Sequence, residues 1–177
     1  SAIRQDYLET AIEWISDKAV EEHMATHQHK ETAEDLWIYF EKVIGWVKEL
    51  FPVYRREMKG IPFGLLYNKH KDDKYDPSKL EDDIRNLMSD EDVTKKSGIY
   101  IYVFTGEEKE LSIRTFSDKD KREAYERQSG ICIHCKESFK LDEMEADHIT
   151  PWSKGGKTTP ENCQMLCLRC NRTKSAK

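Results

Sequence analysis

Four of the five cysteines form two Cys-x-x-Cys pairs, Cys132-Ile-His-Cys135 and Cys167-Leu-Arg-Cys170. Each pair places two thiolates on a tight turn, and two such turns complete a tetrahedral zinc site with Zn–S bonds of about 2.3 Å. Four sulfurs leave no position for water, so the zinc expected here is structural. The 31 residues between the pairs exceed the span of a simple zinc ribbon. The metal is therefore expected to staple the base of an inserted element, which is where chemistry should lie. Cys163 is left over and reads as a buried thiol, and His134 reads as exposed rather than as a ligand. Clustering of all cysteines between 132 and 170 is a metal pattern, not a disulfide framework, and fits a reducing cytoplasm.

The insertion carries Glu145-Ala-Asp147-His148-Ile149-Thr-Pro-Trp-Ser-Lys-Gly155-Gly156-Lys157, then Asn162, and Asn171-Arg172-Thr173-Lys174 follows the last cysteine. An Asp-His dipeptide at a strand end, a Pro-x-x-x-Gly-Gly loop, and asparagines 14 and then nine residues further on resemble the HNH nuclease family. The third position of that motif is Asn171 rather than His, an HNN variant whose amide oxygen also suits a hard metal ion. The resemblance implies a ββα fold: a strand from Glu143 to His148, a second from Asn162 to Leu166, and a helix from Arg169 to about Ser175. It implies a metal-dependent DNA endonuclease with His148 as general base, Asp147 and Asn171 holding a catalytic Mg²⁺ or Mn²⁺, and Asn162 orienting His148. Phosphodiester hydrolysis needs a deprotonated water and charge at the departing 3′ oxygen, which a histidine and one divalent ion can supply.

Neighbouring strand residues point to opposite sides, so Asp147 and His148 are expected to need a bend, with Pro151 shortly after it. Glu145 reads as an ordinary strand-face carboxylate. Lys154, Lys157, Arg172 and Lys174 are candidate phosphate contacts. The alternative is a catalytically silent module that keeps the zinc and binds DNA or a protein.

Positioning such a site requires elements before it. Residues 117–177 hold 12 Lys and Arg against 10 Asp and Glu, whereas residues 1–116 hold 17 against 24, and the chain's net charge is −5. The positive charge gathers where DNA would be met, and the acidic remainder argues against indiscriminate nucleic-acid binding. Mean hydropathy is −0.83, no apolar run is long enough for a membrane span, and four Trp, eight Tyr and six Phe supply a core. Two domains are expected: a helical accessory region at 1–116 ending in a β-hairpin, and a zinc-stapled nuclease domain at 117–177. The fold class is thus α+β.

Within the first region, apolar spacing from Ile3 to about Met24 and from Leu36 to Phe51 predicts two helices joined by a His-rich turn. Asp76-Pro77 predicts the start of a third helix with Leu80, Ile84 and Leu87 inward. The runs 98–105 (GIYIYVFT) and 111–116 (LSIRTF) predict the two strands of the hairpin. Ser117 to Asp120 predicts the start of a helix reaching Gln128, stopped by Ser129-Gly130. His23, His27 and His29 offer no carboxylate or cysteine arrangement and predict no metal, and Trp37, Phe40, Trp46 and Phe51 read as core.

The stretches Leu36-Trp-Ile-Tyr-Phe40, Tyr54-Arg-Arg-Glu-Met58, Asp92-Val-Thr94 and Gly98-Ile-Tyr100 resemble the C-terminal part of GmrSD-type bacterial restriction proteins. That resemblance implies an N-terminal ParB-like domain outside these 177 residues and a role in restriction or antiphage defence. A homodimer or a second event would be needed to break both strands.

Overall fold

The computed structural model describes residues 5–17, 19–29 and 32–175, so Ile3 and Lys177 lie outside the described residues. The described chain is mostly helical with one two-stranded antiparallel sheet, as an α+β reading requires. Two compact units form: residues 1–90 with 95–111, and residues 91–94 with 112–177. Among the described residues no helix is long and apolar enough to cross a membrane.

The first unit contains α1 (Gln5–Ile15), α2 (Val20–His27), α3 (Glu34–Leu50), α4 (Phe63–His70), α5 (Pro77–Ser89) and α6 (Ile99–Thr105). The first expected helix is broken in two. The Ser16 hydroxyl donates back to the carbonyl of Ile12 (2.6 Å), and Asp17 takes a left-handed φ of 48°. His23 and His27 therefore sit one turn apart on α2, with stacked rings 4.1 Å apart, and the His-rich segment is largely helix rather than turn.

Helix α5 begins where its cap predicts: Asp76 Oδ1 accepts from the backbone N–H of Ser78 (2.9 Å) and Lys79 (3.4 Å), with Pro77 at the first helical position. Its Leu80 and Ile84 are buried. Arg55 grips Glu81 on this helix through two parallel N–H···O contacts. That pairing holds the Glu81 carboxyl below its usual range. Trp14 stacks on Phe40 at 5.8 Å and Phe51 meets Tyr100 edge-on at 5.4 Å, so the aromatic stripe serves the core as expected.

The expected β-hairpin at 98–116 does not form. Residues 99–105 are helix α6, closed by Gly106 at φ 68°, whose N–H donates to the Tyr102 carbonyl (2.7 Å). Ile99 and Tyr100 are fully buried and the next four residues half-buried, and α6 packs against α5 and α4. A short apolar run buried on most sides carries no periodicity that separates strand from helix. The intended partner strand is used elsewhere: Leu111 closes a 3₁₀ turn in the first unit, while Ile113 forms a single antiparallel bridge with Val93.

The second unit contains α7 (Asp118–Arg127), β1 (Met144–His148), β2 (Cys163–Cys167) and α8 (Leu168–Ser175). Ser117 and Asp120 close a reciprocal capping box at the start of α7. The strands pair from Met144 opposite Cys167 to His148 opposite Cys163. Helix α7 packs on β2, and α8 covers β1 and β2. The core is small: Phe116, Ala124, Met144, Met165 and Leu166, with four buried cysteines.

Candidate active site

The four cysteines of the two pairs meet. Cys132, Cys135, Cys167 and Cys170 lie with all sulfurs within 4.8 Å of one another, and Cys135 Sγ is 3.9 Å from Cys167 Sγ. Bonds of about 2.3 Å in a tetrahedron imply sulfur separations near 3.8 Å, so the cage fits zinc. Among the described residues this is the one group of three or more His, Cys, Asp or Glu placed to share a metal.

The electrostatics of the cage point the same way. Burial opposes a thiolate at Cys132, but backbone N–H groups of Cys135, Cys167 and His134 outweigh it and bring that thiol down to about 6. Burial and the neighbouring sulfurs push Cys170 up to about 12. A cation in the cage would favour the thiolate at Cys170 against that burial. His134 is exposed, with Nδ1 3.5 Å from Cys170 Sγ, beside the cage rather than among its ligands. Cys163 is fully buried, and burial pushes its thiol up to about 11.

Above the cage, strand alternation sorts the remaining residues. Glu145 and Asp147 face α8, where the Asn171 amide Nδ2 donates to Glu145 Oε2 (2.7 Å) and Lys174 Nζ pairs with Asp147 Oδ2. Gln164, opposite Asp147 in the register, donates to the same carboxylate oxygen (2.9 Å). Lys174 also donates to the His148 carbonyl at 2.7 Å. The His148 ring takes the other side: its centroid is 4.5 Å from that of Phe116, and Nε2 is 3.0 Å from Thr158 Oγ1. Both residues stay in the ladder, opposite Gln164 and Cys163, so no bend intervenes between them.

The structure thus brings Asp147, Asn171 and Lys174 together with Glu145, which had no functional part in the sequence reading, and sets the His148 ring on the opposite side of the strand end. Glu145 and Gln164 could have been found from the register, since both share the Asp147 face. Lys154, Lys157 and Arg172 are exposed, the first two on the loop between the strands and Arg172 on α8.

That loop is tied down by Asn162. Its Oδ1 accepts from Thr150 N (2.8 Å), and its Nδ2 donates to the carbonyls of Thr150 (3.0 Å) and Lys157 (2.8 Å). The loop leaving His148 is thereby fastened to the chain that returns into β2. Residues 132–177 match the HNH endonuclease family. No curated protein and no solved structure matches the chain.

In this HNH segment the Asn162 side chain bonds backbone on both sides of the loop, at Thr150 and Lys157, and so holds the loop rather than the His148 ring. Gly156 is buried inside the same knot, and a Cβ there would fall 1.8 Å from the Thr150 carbonyl oxygen and 2.9 Å from Asn162 Nδ2. Backbone cannot yield cheaply, so Gly156→Ala is expected to destabilise this unit by about 1–3 kcal/mol. A thermal melt would show it, and an unchanged melting temperature would mean the loop relaxes freely.

Proposed function

We propose that the HNH segment, with the rest of its unit, hydrolyses DNA phosphodiester bonds in a metal-dependent reaction. The observation that carries the reading is the placement of Asn171 and Lys174, from the helix leaving the cysteine cage, against the strand that ends in Asp147-His148. Glu145, Asp147 and the oxygen of the Asn171 amide form a set of hard oxygen donors suited to Mg²⁺ or Mn²⁺. When bound, such an ion supplies positive charge for the scissile phosphate and the departing 3′ oxygen.

His148 then takes a proton from the attacking water as the new O–P bond forms, and the P–O3′ bond breaks, the departing 3′ oxygen taking a proton from solvent, to leave a 5′-phosphate and a 3′-hydroxyl. Asp147 and His148 are consecutive residues with side chains on opposite sides of the strand, so the scissile phosphate has to lie across the strand end. Asp147 is paired with Lys174. In competition with a divalent ion for that carboxylate, Lys174 would be left to meet a phosphate oxygen alongside Lys154, Lys157 and Arg172. The Asn162 knot keeps the loop, and through it His148, in position.

A second reading has an observation of its own. Asp147 and Asn171 are satisfied within the chain by Lys174 and Glu145, as they would be in a zinc-bearing module that binds DNA or a protein without cutting. A labelled DNA duplex incubated with Mg²⁺ or Mn²⁺, and in parallel with EDTA, separates the two. The nuclease yields metal-dependent fragments with 5′-phosphate ends. Intact duplex in the presence of folded, zinc-loaded protein favours the silent module.

The wider setting we propose, restriction or antiphage defence in the bacterial cytoplasm beside a ParB-like domain, rests on the resemblance of the 36–100 stretches alone. Two sites in a homodimer would break both strands.

A further inference from the structure

His148 can act as a base only if the neutral ring holds its lone pair on the nitrogen that meets water. The contacts of Thr158 bear on which nitrogen carries the proton. Thr158 Oγ1 lies 3.0 Å from His148 Nε2 and donates to the Arg114 carbonyl at 3.2 Å. A carbonyl cannot donate, and the hydroxyl has one proton. Both contacts are satisfied together only when His148 donates from Nε2–H, which places the lone pair on Nδ1.

Thr158 is itself fixed from outside the matched family segment. Its N–H donates to Oδ2 of Asp92 (2.9 Å), a carboxylate only 5% exposed. Asp92 sits on a short stretch pinned to the 112–114 backbone: Arg114 N donates to the Asp92 carbonyl (2.7 Å), Val93 bridges Ile113, and the Thr94 hydroxyl donates to the Ser112 carbonyl. Phe116, two residues beyond Arg114, packs against the imidazole. Residues 91–94 and 112–116 thus form a clamp that belongs to the second unit although it lies 16 or more residues before the matched segment.

We propose that Thr158 and Asp92 are positioning residues that hold His148 in its Nε2–H tautomer, leaving Nδ1 as the basic nitrogen. The proposal rests on the reading of His148 as the base. A group bonded to the far nitrogen of a histidine sets tautomer and ring direction without touching substrate.

The test uses the full chain with ¹⁵N-labelled histidine, the His148 signals being assigned by their loss in His148→Ala. The wild type is expected to show a protonated Nε2 and an unprotonated Nδ1 above the ring's pKa. Thr158→Val, which keeps the shape and removes the hydroxyl, should give a mixture of tautomers and lower kcat by about 10- to 100-fold with KM for DNA unchanged. Thr158→Ser should restore both, and Asp92→Asn, which keeps an acceptor oxygen, should retain what Asp92→Ala loses. A wild-type ring protonated on Nδ1, or a Thr158→Val protein with unaltered tautomer, would overturn the proposal. The spectra are read without any cleavage, so a His148→Ala protein that still cuts DNA would sink the base assignment and leave the tautomer result standing.

Discussion

Replacing His148 by Ala is expected, under the proposed reaction, to lower the rate of DNA cleavage by about 10²- to 10⁴-fold, the contribution of a positioned general base, while zinc content and secondary structure stay as in the wild type. The ring is half-buried and touches Phe116 and Thr158, so its loss removes packing as well as a base. The supporting structure does not depend on it: the backbone of His148 stays in the ladder opposite Cys163, and its carbonyl still receives Lys174 and Gln164. The cage lies at the other end of β1, where Met144 faces Cys167. Unaltered zinc together with lost cleavage would therefore report chemistry rather than unfolding.

Removing zinc from the cysteine cage is expected to have the second large effect, on stability. The second unit has two strands of five residues each, two short helices and a core in which Cys132, Cys167 and Cys170 are themselves buried members. A two-stranded sheet is marginal by itself, and structural zinc contributes on the order of 10–16 kcal/mol in small metal-stapled folds. That exceeds or equals what a domain usually has to lose, about 5–15 kcal/mol. Cys167→Ser, or exhaustive chelation, is expected to expose residues 112–177 to protease while the helices of the first unit persist in the circular dichroism spectrum. Protection of that segment in metal-free protein would show that packing alone holds it.

The features that could be read from the sequence are those whose cause is local. Each Cys-x-x-Cys pair brings its two thiols together over four residues, Asp76-Pro77 caps a helix with its own oxygen, and Ser117 and Asp120 close a box within one turn. The strand–loop–strand–helix order around His148 follows from a motif of fixed spacing, and the observed strands start within one residue of the expected positions.

Tertiary effects were harder to read. Residues 99–105 have strand-like composition, yet burial against α4 and α5 makes a helix the better way to satisfy their backbone. Asp92 looks like any of the chain's many acids, and only the fold brings it to Thr158, 66 residues away. The pairing of Glu145 with Asn171 likewise depends on where α8 lies across β1.

The most direct test of the central claim is a time course on supercoiled plasmid with Mg²⁺ or Mn²⁺, run for wild type and His148→Ala at equal, measured zinc content. Conversion to nicked circles by the wild type, abolished by EDTA and by the substitution, is the predicted result. Equal nicking by the two proteins would contradict the assignment of His148 as the base.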